Sequence, residues 1–255
     1  MTWNLGSGLD GKGLIVTGAA GGIGSAVCAG LAAAGARLLV TDRDQAACEA
    51  LVAGLDGDGH IARAADLRDL TTHASLVAAA DDAFGGLYGL IHVAAVIVRR
   101  YDLAEITEED WDVQHDINLK AAFFLCREAG RAMVAAGRGG RIVTFTSQAW
   151  ASGGMAGSVV YAATKGGIVT MSRGLARSFG ADGITVNSIS PGMIETPMIM
   201  TGIDERTFEG MRSQVLLGRI GQPDEIAAVA VFLASDHARY ITGATINVSG
   251  GMLLY

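Results

Sequence analysis

"GLIVTGAAGGIGSAVCAGLAAAGARLLVTD", residues 13–42, decides the fold. It opens on an apolar run closed by Gly18, which reads as a short buried strand. From Gly22 the chain is rich in alanine with apolar residues at helical spacing, and Gly35 supplies a stop. "RLLVTD" is the next strand and ends on Asp42. Outward from this unit the alternation continues. Strands are expected at His60–Asp66, in "GLIHVAAV" from Gly89, "GRIVTFTS" from Gly140, "ITVNSISPG" from Ile184 and "TGATINVSGG" from Thr242. Helical stretches separate them, including one long segment over residues 107–137 with a Thr107/Asp110 capping pattern, and one opened by Pro223. The strands are continuously apolar rather than alternating, so a parallel sheet covered by helices on both faces follows. No linker, repeat or charge block divides residues 1–255. The expectation is an α/β chain with a single doubly wound, Rossmann-type domain and a seven-stranded parallel sheet.

The turn "TGAAGGIG", Thr17 to Gly24, stands where a dinucleotide fold places its pyrophosphate. Glycine lets the backbone approach phosphate there, and the helix start offers free N–H groups and the positive end of its dipole. Gly18, Gly22 and Gly24 depart from the literal G-x-G-x-x-G pattern, but Asp42 falls near the offset of a ribose-binding acid. A carboxylate there accepts from a ribose 2′-hydroxyl and repels a 2′-phosphate, so NAD is expected. Arg43, beside it, is the residue that could hold such a phosphate.

Composition narrows the classes. Half of the 255 residues are hydrophobic and 18% are charged, so a large core is available. A formal net charge of -7 argues against nucleic acid as the main partner. Cys28, Cys48 and Cys126 are odd in number and far apart, and the histidines are scattered, so neither a disulfide framework nor a metal site is expected. The N-terminus has no basic-then-apolar leader and the apolar runs are too short to span a bilayer. A cytoplasmic protein without a membrane partner is the expectation.

In "YAATKGG", Tyr161 and Lys165 lie four apart, on one face if the stretch is helical. A cation beside a phenol favours the phenolate and makes an acid/base usable near neutral pH. The same spacing also occurs on ordinary helices. Together, "TGAAGGIG", "YAATK" and "SPGMIET" in this order resemble the short-chain dehydrogenase/reductase family over nearly the whole chain from Gly11.

The resemblance implies reversible exchange between a secondary alcohol and its ketone. Tyr161 would be the general acid/base, Lys165 would lower its pKa and meet the nicotinamide ribose, and Ser147 would hold the substrate oxygen. Asn118 would position a water that links Lys165 to solvent. Cofactor contacts would come from Gly18, Gly22, Ile23, Gly24, Asp42, Asp66, Leu67, Tyr161, Lys165, Ile194 and Thr196. Ser147, Ala149, Trp150, Met155, Tyr161 and Met193 would meet substrate, under a flap around residues 190–215. A homotetramer is also implied. The alternatives are a 3-oxoacyl reductase using NADPH and a non-catalytic nucleotide-sensing protein. Where the family shows Asn-Asn-Ala-Gly, this chain has His92 to Ala95, and His92 reads as a structural strand-end residue. Arg99 and Arg100 read as a solvated pair, with attraction of an anionic substrate as the other reading.

Overall fold

The computed structural model describes residues 4–201 and 203–255. Seven strands form one sheet: β1 (Gly13–Thr17), β2 (Arg37–Thr41), β3 (Ile61–Ala62), β4 (Leu87–His92), β5 (Gly140–Phe145), β6 (Ile184–Pro191) and β7 (Thr245–Val248). Their order is β3-β2-β1-β4-β5-β6-β7, and every neighbouring pair is parallel. All residues of β1, β5 and β6 are buried, including polar residues such as Thr144, Asn187 and Ser188 in β5 and β6.

Ten helices flank the sheet among the described residues: α1 (Gly22–Ala33), α2 (Gln45–Ala53), α3 (Thr71–Phe84), α4 (Glu108–His115), α5 (Ala121–Ala136), α6 (Ala149–Ser152), α7 (Val159–Phe179), α8 (Pro197–Met200), α9 (Glu205–Arg212) and α10 (Pro223–Ala234). On one face, Val27 and Leu31 of α1 and Ile226 and Leu233 of α10 pack on Leu14, Val16, Leu38 and Ile91. On the other, residues of α3, α5 and α7 cover Ile15, Leu39, Leu90 and Ile142. A third, smaller apolar cluster joins Met193 to Met211 and Val215.

Local chemistry sets the helix starts. Asp44 caps α2 by accepting from Ala46 and Ala47 N–H, Thr107 and Asp110 form the capping box of α4, and Pro223 stands in the first turn of α10.

Three expectations are corrected. The third strand is only Ile61–Ala62, although Arg63 and Ala65 N–H beyond it still donate to the Val40 and Asp42 carbonyls. The fourth ends at His92, so Val93 to Val96 run free of the sheet. The long helix over 107–137 is interrupted: Asp116–Lys120 is a π turn between α4 and α5. The sheet order reverses between β1 and β4, and a cleft opens at the carboxyl ends of the strands at that switch point.

Candidate active site

A cavity of about 480 Å³ lies in this cleft. Gly18, Gly22, Ile23, Gly24 and Asp42 border one end of it. Gly18 has φ 63°, and a Cβ there would sit 2.6 Å from the Ala94 Cα. A Cβ on Gly24 would come within 2.0 Å of the Gly18 carbonyl oxygen. The turn therefore has no room for side chains at these two points. Helix α1 starts without a side-chain cap, which leaves the amides of its first turn available. Asp42 braces the turn by accepting from Ala20 N–H at 3.1 Å and Arg43 N–H at 2.7 Å, and both Asp42 and Arg43 face the cavity. A bare backbone cradle, free helix-start amides and a carboxylate at the end of β2 fit a dinucleotide.

Asp66 and Leu67 also border the cavity. The Asp66 carboxylate accepts from the Arg68 guanidinium and backbone N–H, which holds its pKa below the usual carboxylate range. Ile194 and Thr196 lie on the opposite wall, where the Thr196 hydroxyl donates to the Ile194 carbonyl at 3.3 Å.

Ser147, Tyr161 and Lys165 converge in the middle of the cavity. Ser147 is carried by the loop leaving β5, and the other two stand one turn apart on α7. The Ser147 hydroxyl accepts from Ala149 N–H at 3.2 Å and lies close enough to the Tyr161 phenol to favour its charged form. Lys165 donates from Nζ to the Phe145 carbonyl at 2.7 Å. Burial disfavours charge on both α7 groups. It pushes Tyr161 up to about 12, against the opposing influence of the nearby Ser147 hydroxyl and the Arg99 charge, and it draws Lys165 down to about 7. The Lys165 ammonium lies 5.5 Å from the Tyr161 ring centre, and Arg99 is a further cation close enough to favour the charged phenol.

Asn118 sits in the π turn, buried, and does not face the cavity. It accepts from Val96 N–H at 2.8 Å, donates to the Val96 carbonyl at 2.9 Å, and donates to the Thr164 hydroxyl at 3.2 Å. Its side chain thus clamps the segment after β4 to the helix that carries Tyr161. Ala149, Met155 and Met193 line the cavity, but Trp150 does not. Its indole packs edge-on against Tyr255, with ring centres 5.2 Å apart, because the short helix α6 turns it away from the cavity.

Two residues matter more than the sequence indicated. His92 is buried and bonds the Thr17 hydroxyl at 3.0 Å, while the same hydroxyl accepts from Ala94 N–H at 3.3 Å. This pins the cavity wall, and burial lowers the His92 pKa to about 3. Arg99 is no half of a solvated pair. Arg100 forms a two-pronged ion pair with Asp110, whereas Arg99 turns into the cavity wall and donates to the carbonyls of Thr201 and Ala156.

Comparison with known proteins agrees with this architecture. The family model described as enoyl-(acyl carrier protein) reductase matches residues 18–253. The chain is 40% identical over 248 residues to D-threitol dehydrogenase of Mycolicibacterium smegmatis, covering 95% of this chain and 93% of that one. It is 37% identical over 246 residues to the 3-oxoacyl-(acyl-carrier-protein) reductase FabG of Vibrio cholerae, covering 96% and 99%. A solved structure of a short-chain dehydrogenase/reductase (glucose/ribitol dehydrogenase) from Brucella melitensis superposes with a TM-score of 0.89 at 35% identity, covering 97% and 98%. Sheet order, glycine turn and the Ser147–Tyr161–Lys165 cluster, with these relatives, identify the chain as an oxidoreductase of the short-chain dehydrogenase/reductase family.

Proposed function

We propose that the protein interconverts a secondary alcohol and its ketone with NAD(H). The observation that carries this reading is that Ser147, Tyr161 and a buried Lys165 line one cavity together with the glycine turn. The nicotinamide cofactor, when bound, supplies the redox chemistry by accepting or giving a hydride. The chain's own residues handle the oxygen and its proton. Ser147 holds the substrate oxygen by hydrogen bonding, and Tyr161 Oη takes the hydroxyl proton in oxidation or returns it in reduction. Lys165, drawn down to about 7, carries a proton at Nζ that exchanges near neutral pH. Asn118 keeps the wall after β4 in register with α7. The apolar side chains Met155, Met193 and Met198 exclude water from the reacting carbon.

NAD is favoured over NADP by Asp42, whose carboxylate would meet a ribose hydroxyl and repel a 2′-phosphate. A second reading, a 3-oxoacyl reductase using NADPH, draws support from Arg43 on the same stretch of wall. A homotetramer in the cytoplasm completes the proposal. Exposed Trp111, Phe123 and Val159 on α4, α5 and α7 are the apolar positions that pairing of subunits would cover. The test is titration of the protein with NADH and NADPH, then NAD-linked oxidation of a panel of secondary alcohols. Tight NADH binding with turnover supports the reading. A clear NADPH preference moves it to the second one, and NADH binding with no turnover on any alcohol or ketone overturns the enzymatic role.

A further inference from the structure

Arg99 is the feature of the cavity that the dehydrogenase chemistry leaves unexplained. It follows β4 by a short stretch and reaches the substrate end, where its Nε donates to the Thr201 carbonyl at 2.9 Å and its Nη1 to the Ala156 carbonyl at 3.2 Å. These two bonds fix the guanidinium between the flap and the loop that carries Met155. Among the described residues, no protein group meets the second terminal nitrogen, and no carboxylate pairs with Arg99. Partial burial disfavours its charge, and Tyr161 is close enough to feel it.

The acids on the cavity wall are Asp42 and Asp66, and both stand after β2 and β3, by the glycine turn. The substrate end therefore holds a partly desolvated cation with no anion of its own. A guanidinium with an open edge suits a planar carboxylate, since the fork of N–H donors matches two oxygens. A polyol would accept single hydrogen bonds there but would leave the charge uncompensated.

We propose that Arg99 is the carboxylate subsite of this pocket, so that the substrate is a hydroxy acid or its keto acid, with the acid group on Arg99 and the reacting oxygen on Ser147 and Tyr161. This rests on the alcohol–ketone reading above.

The experiment uses matched keto compounds with NADH: acetoacetate and levulinate, each against its methyl ester, with threitol oxidation as the neutral polyol arm. Wild type, Arg99→Gln and Arg99→Lys are compared, and NADH affinity is measured for each by fluorescence titration. The expected result is that wild type favours at least one acid over its ester by about tenfold or more in kcat/KM. Arg99→Gln brings the acid-to-ester ratio of kcat/KM to near one, whatever the loss of its charge beside Tyr161 does to both substrates, Arg99→Lys keeps part of the ratio, and NADH affinity is equal in all three. A wild type that favours esters or threitol overturns the assignment. So does an Arg99→Gln variant that keeps the wild-type acid-to-ester ratio, because that is the signature of a residue that only staples the flap or acts through Tyr161. Wild type that binds NADH yet turns over no compound at all removes the alcohol–ketone reading itself, and this subsite with it.

Discussion

Asn118 holds both backbone groups of Val96, accepting the N–H at 2.8 Å and donating to the C=O at 2.9 Å. Val96 belongs to the stretch that leaves the sheet after His92, so its backbone has no ladder partner. The carboxamide stands in for a neighbouring strand. The π turn that carries Asn118 offsets the helix so that the same side chain also reaches Thr164 on α7.

Removing this clamp leaves a buried N–H and C=O unpaired. Asn118→Ala is expected to cost about 2–4 kcal/mol, read from the urea midpoint, since each stranded group carries a desolvation penalty. Asn118→Asp retains the acceptor for Val96 N–H but loses both donors, and it should fall between. Cofactor affinity should drop in both, because Val96 lines the cavity.

His92 gives the protein a weakness toward acid. Its folded pKa is about 3, against an ordinary 6.5. As pH falls below 6.5 the unfolded chain takes up this proton while the folded one stays neutral. The unfolded state then binds more protons, so stability declines from pH 6.5 down to about 3 and is fully present above 6.5. His92→Asn removes the titration and keeps a group able to bond Thr17. Between pH 7 and 4.5 the wild type should lose about 2–3 kcal/mol more than the variant in parallel urea denaturations. Equal losses would show that His92 is not held neutral.

Two glycines make opposite predictions. A methyl on Gly24 would collide with the Gly18 carbonyl oxygen, so Gly24→Ala should disrupt the turn and abolish NADH binding. Gly174, inside α7, has open space around its missing Cβ. Gly174→Ala should raise stability by about 0.5–1 kcal/mol in thermal unfolding and leave activity alone.

Asp42 carries the proposed choice of cofactor. Asp42→Ala removes the repulsion of a 2′-phosphate and leaves Arg43 in place, so the ratio of NADPH to NADH affinity should rise by about tenfold or more, equivalent to ~1.4 kcal/mol. An unchanged ratio would move the discrimination elsewhere in the cavity.

Much of this was legible in the sequence because parallel-sheet proteins write their layers plainly. β1 is a short apolar run, and the glycine turn sits between it and α1. The capping chemistry of α4 and the Pro223 start of α10 were equally readable, since each depends on neighbours within one turn. What escaped were properties set by partners distant in the chain. Arg99 and Arg100 are adjacent and alike in sequence. Only the position of Asp110, ten residues on, and of Thr201 and Ala156 on other loops separates an ion-paired arginine from a cavity arginine. Trp150 is next to a pocket residue but rotates onto Tyr255, which a linear reading cannot place beside it. β3 pairs with β2 over only two residues, and the chain then follows β2 by single bonds from Arg63 and Ala65 N–H, a departure that the sequence of residues 60–66 does not mark.

The central claim is that Tyr161 moves the substrate proton while the rest of the pocket binds cofactor without it. The most direct measurement is Tyr161→Phe, assayed for NADH binding by fluorescence and for turnover on whichever alcohol the wild type oxidises. The variant should keep NADH affinity like that of the wild type and lose about a hundredfold or more in kcat, with no recovery on raising pH toward 10. Turnover close to the wild-type rate in that variant would contradict it.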